Sequence, residues 1–288
     1  MKKVLMSGNE AIARGVYEAG VRFAAAYPGT PSTEIMEQFA RYDGVYAEWA
    51  PNEKVAVEVA IGAALGGARA LAVMKHVGVN VAADPIFTVS YTGIAGALVI
   101  ISADDPSMHS SQNEQDNRNY AKFAKIPMLE PADPQEAKEY VKLAFALSEQ
   151  FDTPVFLRTT TRVSHSKSVV TLGEPRIPED KTTLAHHAAK YVMVPINART
   201  RRVEVEKRQK ALLSFAETFP ENKMEINDPE VGIITAGMPY NYAKDVFPNY
   251  SYLKLGMVYP LPVKMIRHFA SRVKKIYVVE ELDPYLEE

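Results

Sequence analysis

Short apolar runs in the first half of the chain alternate with stretches in which apolar and polar residues are spaced as on a helix. The runs predict buried strands at Phe23–Tyr27, Val45–Trp49, Ala70–Met74, Ala97–Ser102 and Pro154–Thr159. The intervening stretches predict helices at Ser7–Ala19, Ser32–Ala40, Pro51–Gly67 and Pro134–Gln150, with Ser7 and Ser32 as N-caps. Strands that alternate with helices in this way indicate an α/β fold with a parallel sheet.

The alternation stops near residue 165 and resumes near residue 229. The residues between are rich in charge, include His186 and His187, and predict one helix at Val203–Thr218. Beyond them the pattern predicts strands at Gly232–Ala236, Tyr252–Leu255 and Lys275–Val279. It predicts helices at Asn241–Phe247 and Val263–Val273. We therefore predict a first domain at 1–165, a linker at 166–228 lying over it, and a second, smaller α/β domain at 229–288.

Composition narrows the function classes. The formal net charge is -2, with 33 basic and 35 acidic residues, which argues against a nucleic-acid partner. The chain has no cysteine, so it carries neither a disulfide framework nor thiolate-held iron–sulfur clusters. No signal peptide and no apolar run of membrane-spanning length is recognisable, and we expect a cytoplasmic protein without a membrane partner.

Candidate chemistry lies where predicted strands end, because ligands of open α/β sheets bind at the carboxyl ends of strands. After the first strand, Pro28 and Gly29 shape a turn that holds the Thr30 hydroxyl near the next helix, a suitable place for an anionic group. The alternative is a rigid turn in which Ser32 merely caps that helix. After the second strand, Glu53 falls in the first turn of a helix, where it could simply complement the helix dipole.

Two further strand ends carry polar residues. After Met74, Lys75 could pair with a carboxylate, His76 could move a proton and Asn80 could contact a ligand, although a surface loop is an equal alternative. A polar segment then follows Ser102, and its length is typical of functional or mobile loops. Its residues His109, Glu114 and Asp116 match no tight metal-ligand spacing, so no metal site is predicted. The closing motif, Glu280-Glu281-Leu282-Asp283-Pro284, is interpreted as a solvated edge or an interface.

Taken together, the longer motifs resemble one family. They are YPGTPSTEI, APNEKVAVEVAIGAALGGARALAVMKHVGVNVAADP, ADDPSMHSSQNEQDNR, VPINAR, LKLGMVYPLP and VVEELDPYLEE. In this order they resemble the 2-oxoacid:ferredoxin oxidoreductases, and within that family the large subunit of the indolepyruvate branch. The resemblance covers nearly the whole chain. It implies a pyrimidine-type, thiamine-diphosphate-binding domain followed by a unit of the transketolase C-terminal type.

The resemblance also implies roles for individual residues. Glu53 matches the catalytic glutamate that hydrogen-bonds the aminopyrimidine of thiamine diphosphate. Thr30 matches the threonine near the substrate carboxylate and the cofactor, and Pro28 and Gly29 belong to the same cofactor-binding turn. The segment with Lys75, His76 and Asn80 faces the active site in related enzymes, so we expect Lys75, His76 and Asn80 to bind substrate and His76 to take part in catalysis.

The implied reaction is oxidative decarboxylation of an aryl 2-oxoacid with coenzyme A, which gives an acyl-CoA and reduces ferredoxin. The sequence departs from the family pattern in two places, which limits how far this implied reaction can be applied to the chain. Relatives acting on pyruvate carry a carboxylate-binding arginine after the fourth strand, where this chain has Ala103, Asp104 and Asp105, so Lys75 is our candidate anchor. The chain also lacks the Gly-Asp-Gly segment that binds magnesium and diphosphate, and the cysteine-rich segment that holds the clusters.

We therefore expect an enzyme component that is incomplete alone. Its predicted partners are a beta subunit, a diphosphate-binding domain that holds magnesium, iron–sulfur clusters in a missing segment or a partner, and ferredoxin, in an oligomer. Two alternatives stay open. One is a non-catalytic assembly subunit with the same fold, and the other is a non-oxidative thiamine-dependent decarboxylase.

Overall fold

The computed structural model describes residues 2–177 and 186–288, so the part of the predicted linker at 178–185 lies outside the described residues. The strands are β1 Lys3–Ser7, β2 Phe23–Ala26, β3 Tyr46–Trp49, β4 Arg69–Lys75, β5 Ala97–Asp104, β6 Met128–Leu129, β7 Val155–Thr160, β8 Lys167–Thr171, β9 Lys223–Glu225, β10 Val231–Ala236, β11 Ser251–Leu255, β12 Met257–Tyr259 and β13 Lys275–Val279. Every strand predicted from the sequence is present.

The helices are α1 Gly8–Glu18, α2 Thr33–Phe39, α3 Glu53–Leu65, α4 His76–Val81, α5 Ala83–Thr92, α6 Arg118–Ala124, α7 Pro134–Phe151, α8 Thr161–His165, α9 Ala188–Tyr191, α10 Pro195–Ala216, α11 Met238–Val246 and α12 Val263–Ala270. Each predicted helix is present. The short helices α4, α5, α6, α8 and α9 were not predicted, because a helix of few turns offers too little apolar periodicity to stand out from a loop.

A seven-stranded sheet forms the centre of the molecule, in the order β12-β6-β7-β5-β4-β2-β3. Its strands pair in parallel, except that β12 pairs antiparallel with β6. The central strand β5 is buried along its whole length, as is typical of a parallel sheet covered by helices on both faces. The predicted α/β class with a parallel sheet is therefore confirmed.

Each face of this sheet has its own apolar core, because successive strand residues point to opposite sides. On one face, Val73 and Ile101 belong to a buried cluster with side chains of α1 and α7. On the other, Ala72 and Ile100 belong to a cluster with side chains of α3 and α5. Fully burying one branched aliphatic side chain contributes roughly 1.5–3 kcal/mol, so these two layers provide much of the stability.

A second, four-stranded sheet has the order β13-β10-β11-β9. Strand β10 pairs in parallel with β11 and β13, and β9 pairs antiparallel with β11. Directly after β11, the chain crosses to the main sheet, where Met257 of β12 pairs with Leu129 of β6. Leu253 and Phe269 of this unit join the same buried cluster as α3 and α5. The predicted second, smaller α/β unit is confirmed, whereas the domain boundaries stay a prediction.

The segment predicted as a linker contains ordered structure on both sides of residues 178–185. Strand β8 pairs antiparallel with β1. Helix α10 lies over the first unit, since Arg201 donates to the Tyr91 carbonyl and Arg208 donates to the Asp152 carbonyl. Within residues 2–177 and 186–288, none of the helices has the length and apolar character that crossing a bilayer requires.

The two predicted N-caps have different outcomes. At Ser7 a capping box is formed: Oγ accepts from the Glu10 amide at 3.2 Å, and a Glu10 carboxylate oxygen accepts from the Ser7 amide at 2.7 Å. The side-chain cap predicted at Ser32 is wrong. Its hydroxyl donates instead to the Gly29 carbonyl at 2.8 Å, so it closes the preceding turn and leaves α2 without a side-chain cap.

Glu18 is a buried carboxylate that joins three parts of the first unit. It accepts hydrogen bonds from Lys138 of α7 at 2.8 Å, from Arg14 of α1 at 2.9 Å and from the Gly173 amide, beyond β8, at 2.6 Å. Burial acts to raise the pKa of Glu18, but these donors outweigh it and lower the pKa to about 2. The ionised form is therefore strongly favoured in the folded protein.

We predict that Glu18→Gln lowers the free energy of unfolding at neutral pH by roughly 3 kcal/mol, because Lys138 loses its buried partner. Since the folded-state pKa is depressed from 4.5 to about 2, this stabilisation is complete above the ordinary pKa and is lost as the pH falls toward 2. Urea unfolding from neutral to acidic pH should show the two proteins converging across that window. Glu37→Gln, at an exposed position of α2, is the control; a difference independent of pH would contradict the prediction.

Candidate active site

The carboxyl ends of four neighbouring strands meet at one edge of the main sheet, which we call the sheet edge. The register places Ala26 beside both Trp49 and Val73, and Lys75 beside Ala103. Strands β2, β3, β4 and β5 therefore deliver four segments to it: the turn at 27–32, the start of α3 with Glu53, the start of α4, and residues 105–117, which we call the edge loop. The structure brings together the four motifs that the sequence singled out.

The turn at 27–32 lies against the stem of Lys75. A Cβ atom added to Gly29 would lie 2.9 Å from Cδ and 3.0 Å from Cγ of Lys75, so the absence of a side chain at Gly29 gives the lysine stem its place. Pro28 and Thr30 are exposed in the same turn. Thr30 and Lys75, both predicted to bind substrate, thus border one turn.

Asn9, in the first helical turn of α1, binds the segment 27–32 through its side chain. Its side-chain amide is buried and donates to the Pro31 carbonyl at 2.7 Å and to Glu34 at 3.0 Å. Nothing in the sequence pattern marks Asn9 as part of the site, because an asparagine near a helix start is usually explained as a cap. Its role depends on a contact between residues 22 positions apart.

Glu53 is the first residue of α3. Asn52 caps the helix by accepting from the Val55 amide at 3.0 Å, which fixes where α3 begins after β3. Glu53 is only 8% exposed, and its carboxylate packs against the backbone of Gly78. Within residues 2–177 and 186–288, neither carboxylate oxygen has a hydrogen-bond donor or a cationic partner. An almost buried acceptor is thus left open at the edge.

The edge loop is contacted by three residues that were predicted to bind substrate: Lys75, His76 and Asn80. The Lys75 ammonium donates to the Ser110 carbonyl at 2.9 Å. His76 is completely buried, and its Nε2 donates to the Asn113 carbonyl at 3.2 Å. The Asn80 side chain exchanges hydrogen bonds with Gln115. The alternative of a surface loop is therefore wrong for this segment, which is a helix start that anchors the edge loop.

Asp105 organises the first half of the edge loop. Its carboxylate accepts from the Ser110 amide, the Ser111 hydroxyl and the Thr161 hydroxyl, each at 2.7 Å. Burial acts to raise the pKa of Asp105, but these hydrogen bonds outweigh it and lower the pKa. Within the loop so held, Ser107 and Met108 adopt positive φ angles of 69° and 54°, which non-glycine residues seldom do.

The structure shows surroundings other than a metal site for His109, Glu114 and Asp116. Glu114 accepts from the Ser107 amide at 2.5 Å, Asp116 pairs with Arg118, and His109 is exposed. In the described part of the chain, no group of three or more histidine or acidic side chains is arranged to hold a metal ion.

A completely buried arginine, Arg158 of β7, stands behind the sheet edge. It donates to Asp104 at the end of β5 and to Glu130 after β6, both at 2.7 Å. Burial acts to lower the pKa of Arg158, but the carboxylates of Glu130 and Asp104 outweigh it and keep the pKa well above its ordinary value. The sequence alone contained no signal for this cluster, because its members are separated by 26 or more positions and follow one another in no local pattern.

The closing motif is solvated only in part, since Asp283 and Pro284 are exposed whereas Glu280 and Glu281 are half-buried. Arg118 of α6, also buried, donates to Glu280 at 2.8 Å and to the Glu281 carbonyl at 2.9 Å. Burial raises the pKa of the Glu281 carboxyl. Of the two interpretations, the interface is the nearer one, although the contact lies within the chain: this motif packs against α6 and the end of the edge loop.

Comparisons with known proteins show the family to which the chain belongs. A family model described as "Pyruvate flavodoxin/ferredoxin oxidoreductase, thiamine diP-bdg" matches residues 14–227. The chain is 47% identical, over 99% of its length, to the indolepyruvate oxidoreductase subunit IorA of Archaeoglobus fulgidus. It is 45% identical, over its whole length, to the subunit of the same name from Pyrococcus horikoshii. It covers 48% and 46% of these two proteins, so it spans about half the length of the curated relatives it matches.

A solved structure of 2-oxoglutarate:ferredoxin oxidoreductase from Magnetococcus marinus, with 2-oxoglutarate, coenzyme A and succinyl-CoA bound, has the same fold. The TM-score is 0.76 over 96% of this chain and 57% of that one, at 16% sequence identity. The parallel sheet, the open carboxylate at its carboxyl edge and the matching family model lead to one conclusion: the chain belongs to the thiamine-diphosphate-binding family of pyruvate flavodoxin/ferredoxin oxidoreductases.

Proposed function

We propose that the chain is a component of a thiamine-diphosphate-dependent oxidoreductase that oxidatively decarboxylates an aryl 2-oxoacid of the indolepyruvate type. The oxoacid and coenzyme A would give an acyl-CoA and carbon dioxide, and the electrons would reduce ferredoxin. The observation that carries the proposal is the Glu53 carboxylate, almost buried at the sheet edge without a donor among the described residues. The names of the relatives from Archaeoglobus fulgidus and Pyrococcus horikoshii support the indolepyruvate type.

The residues at the edge fit the aminopyrimidine end of the cofactor. Burying a polar group without a hydrogen bond costs about 1–3 kcal/mol, and more for a charged one. A ligand that covers the Glu53 carboxylate would incur this cost, and a ring N–H placed against the carboxylate would offset it and be held in a fixed orientation. Pro28, Gly29 and Thr30 would form the adjoining wall. Thiamine diphosphate, when bound, supplies a carbon nucleophile for the 2-oxo carbon.

Lys75 is our candidate for the substrate carboxylate. An ammonium group has three N–H donors, and the bond to the Ser110 carbonyl uses one of them. The segment Ala103-Asp104-Asp105 stands where relatives acting on pyruvate carry an arginine, and within it Asp104 is bonded to Arg158 and is not available to a ligand. His76 and Asn80 remain predicted substrate contacts. Because both are bonded to the edge loop, contact with substrate requires that loop to move.

The remaining parts of the enzyme are expected from partners or from sequence outside this chain. The chain spans about half the length of the IorA relatives, which are named as subunits. We propose that a separate domain binds the diphosphate and magnesium, and that a beta subunit completes the oligomer. Iron–sulfur clusters would lie in a missing segment or a partner, since the chain has no cysteine. Ferredoxin and coenzyme A would be the acceptor and the co-substrate.

We predict that Glu53→Gln reduces turnover at least about a hundredfold, because a neutral amide cannot replace the carboxylate as a charged acceptor. The measurement is anaerobic reduction of a viologen dye by the complex isolated from its native source through this chain. The assay would contain indolepyruvate, coenzyme A and added thiamine diphosphate. The matched control is Glu58→Gln, on the exposed face of the same helix, which should leave the rate unchanged.

The outcomes of this assay separate the alternatives. Full activity of Glu53→Gln would contradict the catalytic role and favour a non-catalytic assembly subunit. Release of carbon dioxide without dye reduction, in a complex with intact clusters, would point to a non-oxidative decarboxylase.

We predict that Lys75→Met raises the KM for the oxoacid by about 10- to 100-fold, as expected for one hydrogen bond to a charged group. Methionine keeps an unbranched stem against Gly29, so affinity for thiamine diphosphate should not change. Lys54→Met, which removes a half-exposed lysine paired with Asp84 at 3.1 Å, is the control and should leave KM unaltered. An unchanged KM in Lys75→Met would exclude Lys75 as the carboxylate anchor.

A further inference from the structure

Gly78, in the first turn of α4, is in contact with the Glu53 side chain. A Cβ atom built on Gly78 would lie 2.6 Å from Cγ, 2.7 Å from Oε1 and 2.9 Å from Cδ of Glu53. Real Cβ atoms essentially never approach other heavy atoms to within 3.0 Å. The glutamate side chain therefore occupies the volume that any side chain at position 78 would need.

The backbone itself does not demand glycine at this position. Gly78 is not one of the glycines with positive φ, and its carbonyl accepts an ordinary helical hydrogen bond from the Ala82 amide at 3.0 Å. Glycine inside a helix is about 1 kcal/mol less favourable than alanine. Helix α4 thus contains a residue that weakens it, and the packing of Glu53 is the physical reason for that residue.

The same contact restrains the carboxylate. Glu53 has no donor among the described residues, so hydrogen bonds from this part of the chain do not fix the rotation of its carboxylate. Packing has to do so, and three of its side-chain atoms lie against the Gly78 backbone. Elsewhere in the site, orientation comes from hydrogen bonds, as at Asp105.

We propose that Gly78 is the positioning residue for Glu53. By leaving out a side chain, it lets the carboxylate lie at the depth and angle at which an aminopyrimidine N–H can donate to it. The proposal rests on the proposed function of Glu53 and adds the requirement that a methyl group at position 78 should impair that function without weakening the fold.

The test is Gly78→Ala in the assembled complex. We expect kcat to fall at least tenfold and the Kd for thiamine diphosphate, measured by equilibrium dialysis of the cofactor-free complex, to rise at least tenfold. The thermal midpoint should not fall, since alanine favours the helix. The matched control is Gly62→Ala in α3, where an added Cβ would have no atom within 4 Å; it should change neither kcat nor Kd.

A second variant distinguishes positioning from general damage. Glu53→Asp withdraws the carboxylate by one methylene and makes room for a methyl group at position 78. If the two residues act through their contact, Gly78→Ala should cost at least tenfold less in Kd in the Glu53→Asp background than in the wild type. Losses that simply multiply would overturn the proposal.

The proposal and the function on which it rests can fail separately. If Glu53→Gln retains full activity and cofactor affinity, the proposed function fails and the positioning role fails with it. If Glu53→Gln is inactive while Gly78→Ala keeps wild-type kcat and Kd, the function stands and the positioning role is overturned. A loss in Gly78→Ala that is accompanied by a lower thermal midpoint and by no coupling to Glu53→Asp would also overturn it.

Discussion

The ion pairs of one completely buried arginine hold together the elements around the site. Arg158 bridges the ends of β5 and β6 through Asp104 and Glu130, and Asp104 also accepts from the Asn117 amide, where the edge loop ends. A buried charge that loses its partner typically costs 3–5 kcal/mol. These groups must therefore stay together, and the edge loop begins and ends at points that cannot easily move.

These internal ion pairs and hydrogen bonds determine which polar groups at the sheet edge are available to a ligand. The acidic residues at the end of β5 and directly after it are bonded within the protein: Asp104 to Arg158, and Asp105 to the edge loop and Thr161. Lys75 keeps N–H donors beyond the one bonded to Ser110. Glu53 stands apart from both cases, because among residues 2–177 and 186–288 it is held by packing and has no hydrogen-bond donor. Glu53 suits a ligand that presents an N–H donor, and Lys75 suits a second ligand that presents a carboxylate.

The second unit contacts the same network of buried charged side chains. Glu130, a partner of Arg158, also packs against Gly237, where an added Cβ would lie 2.4 Å from its Oε1. Arg118 ties the closing motif to the edge loop through Asp116 and Glu280. Since these contacts use buried charges, the two sheets are joined by interactions that penalise separation. The two units predicted from the sequence are therefore held together by contacts of buried charged residues behind the site.

The sequence by itself determined eight of the strands and the long helices, since apolar periodicity is a local property, but it did not predict β1, β6, β8, β9 or β12. It placed Thr30, Glu53 and Lys75 at strand ends that parallel pairing brings to one edge. Resemblance of the longer motifs then indicated the role of Glu53. Only the tertiary structure decided which side chains meet there: Glu53 with Gly78, Arg158 with Asp104 and Glu130, and Arg118 with Glu280. Such contacts join residues far apart in the chain, and no local pattern records the choice of a partner for a buried charge.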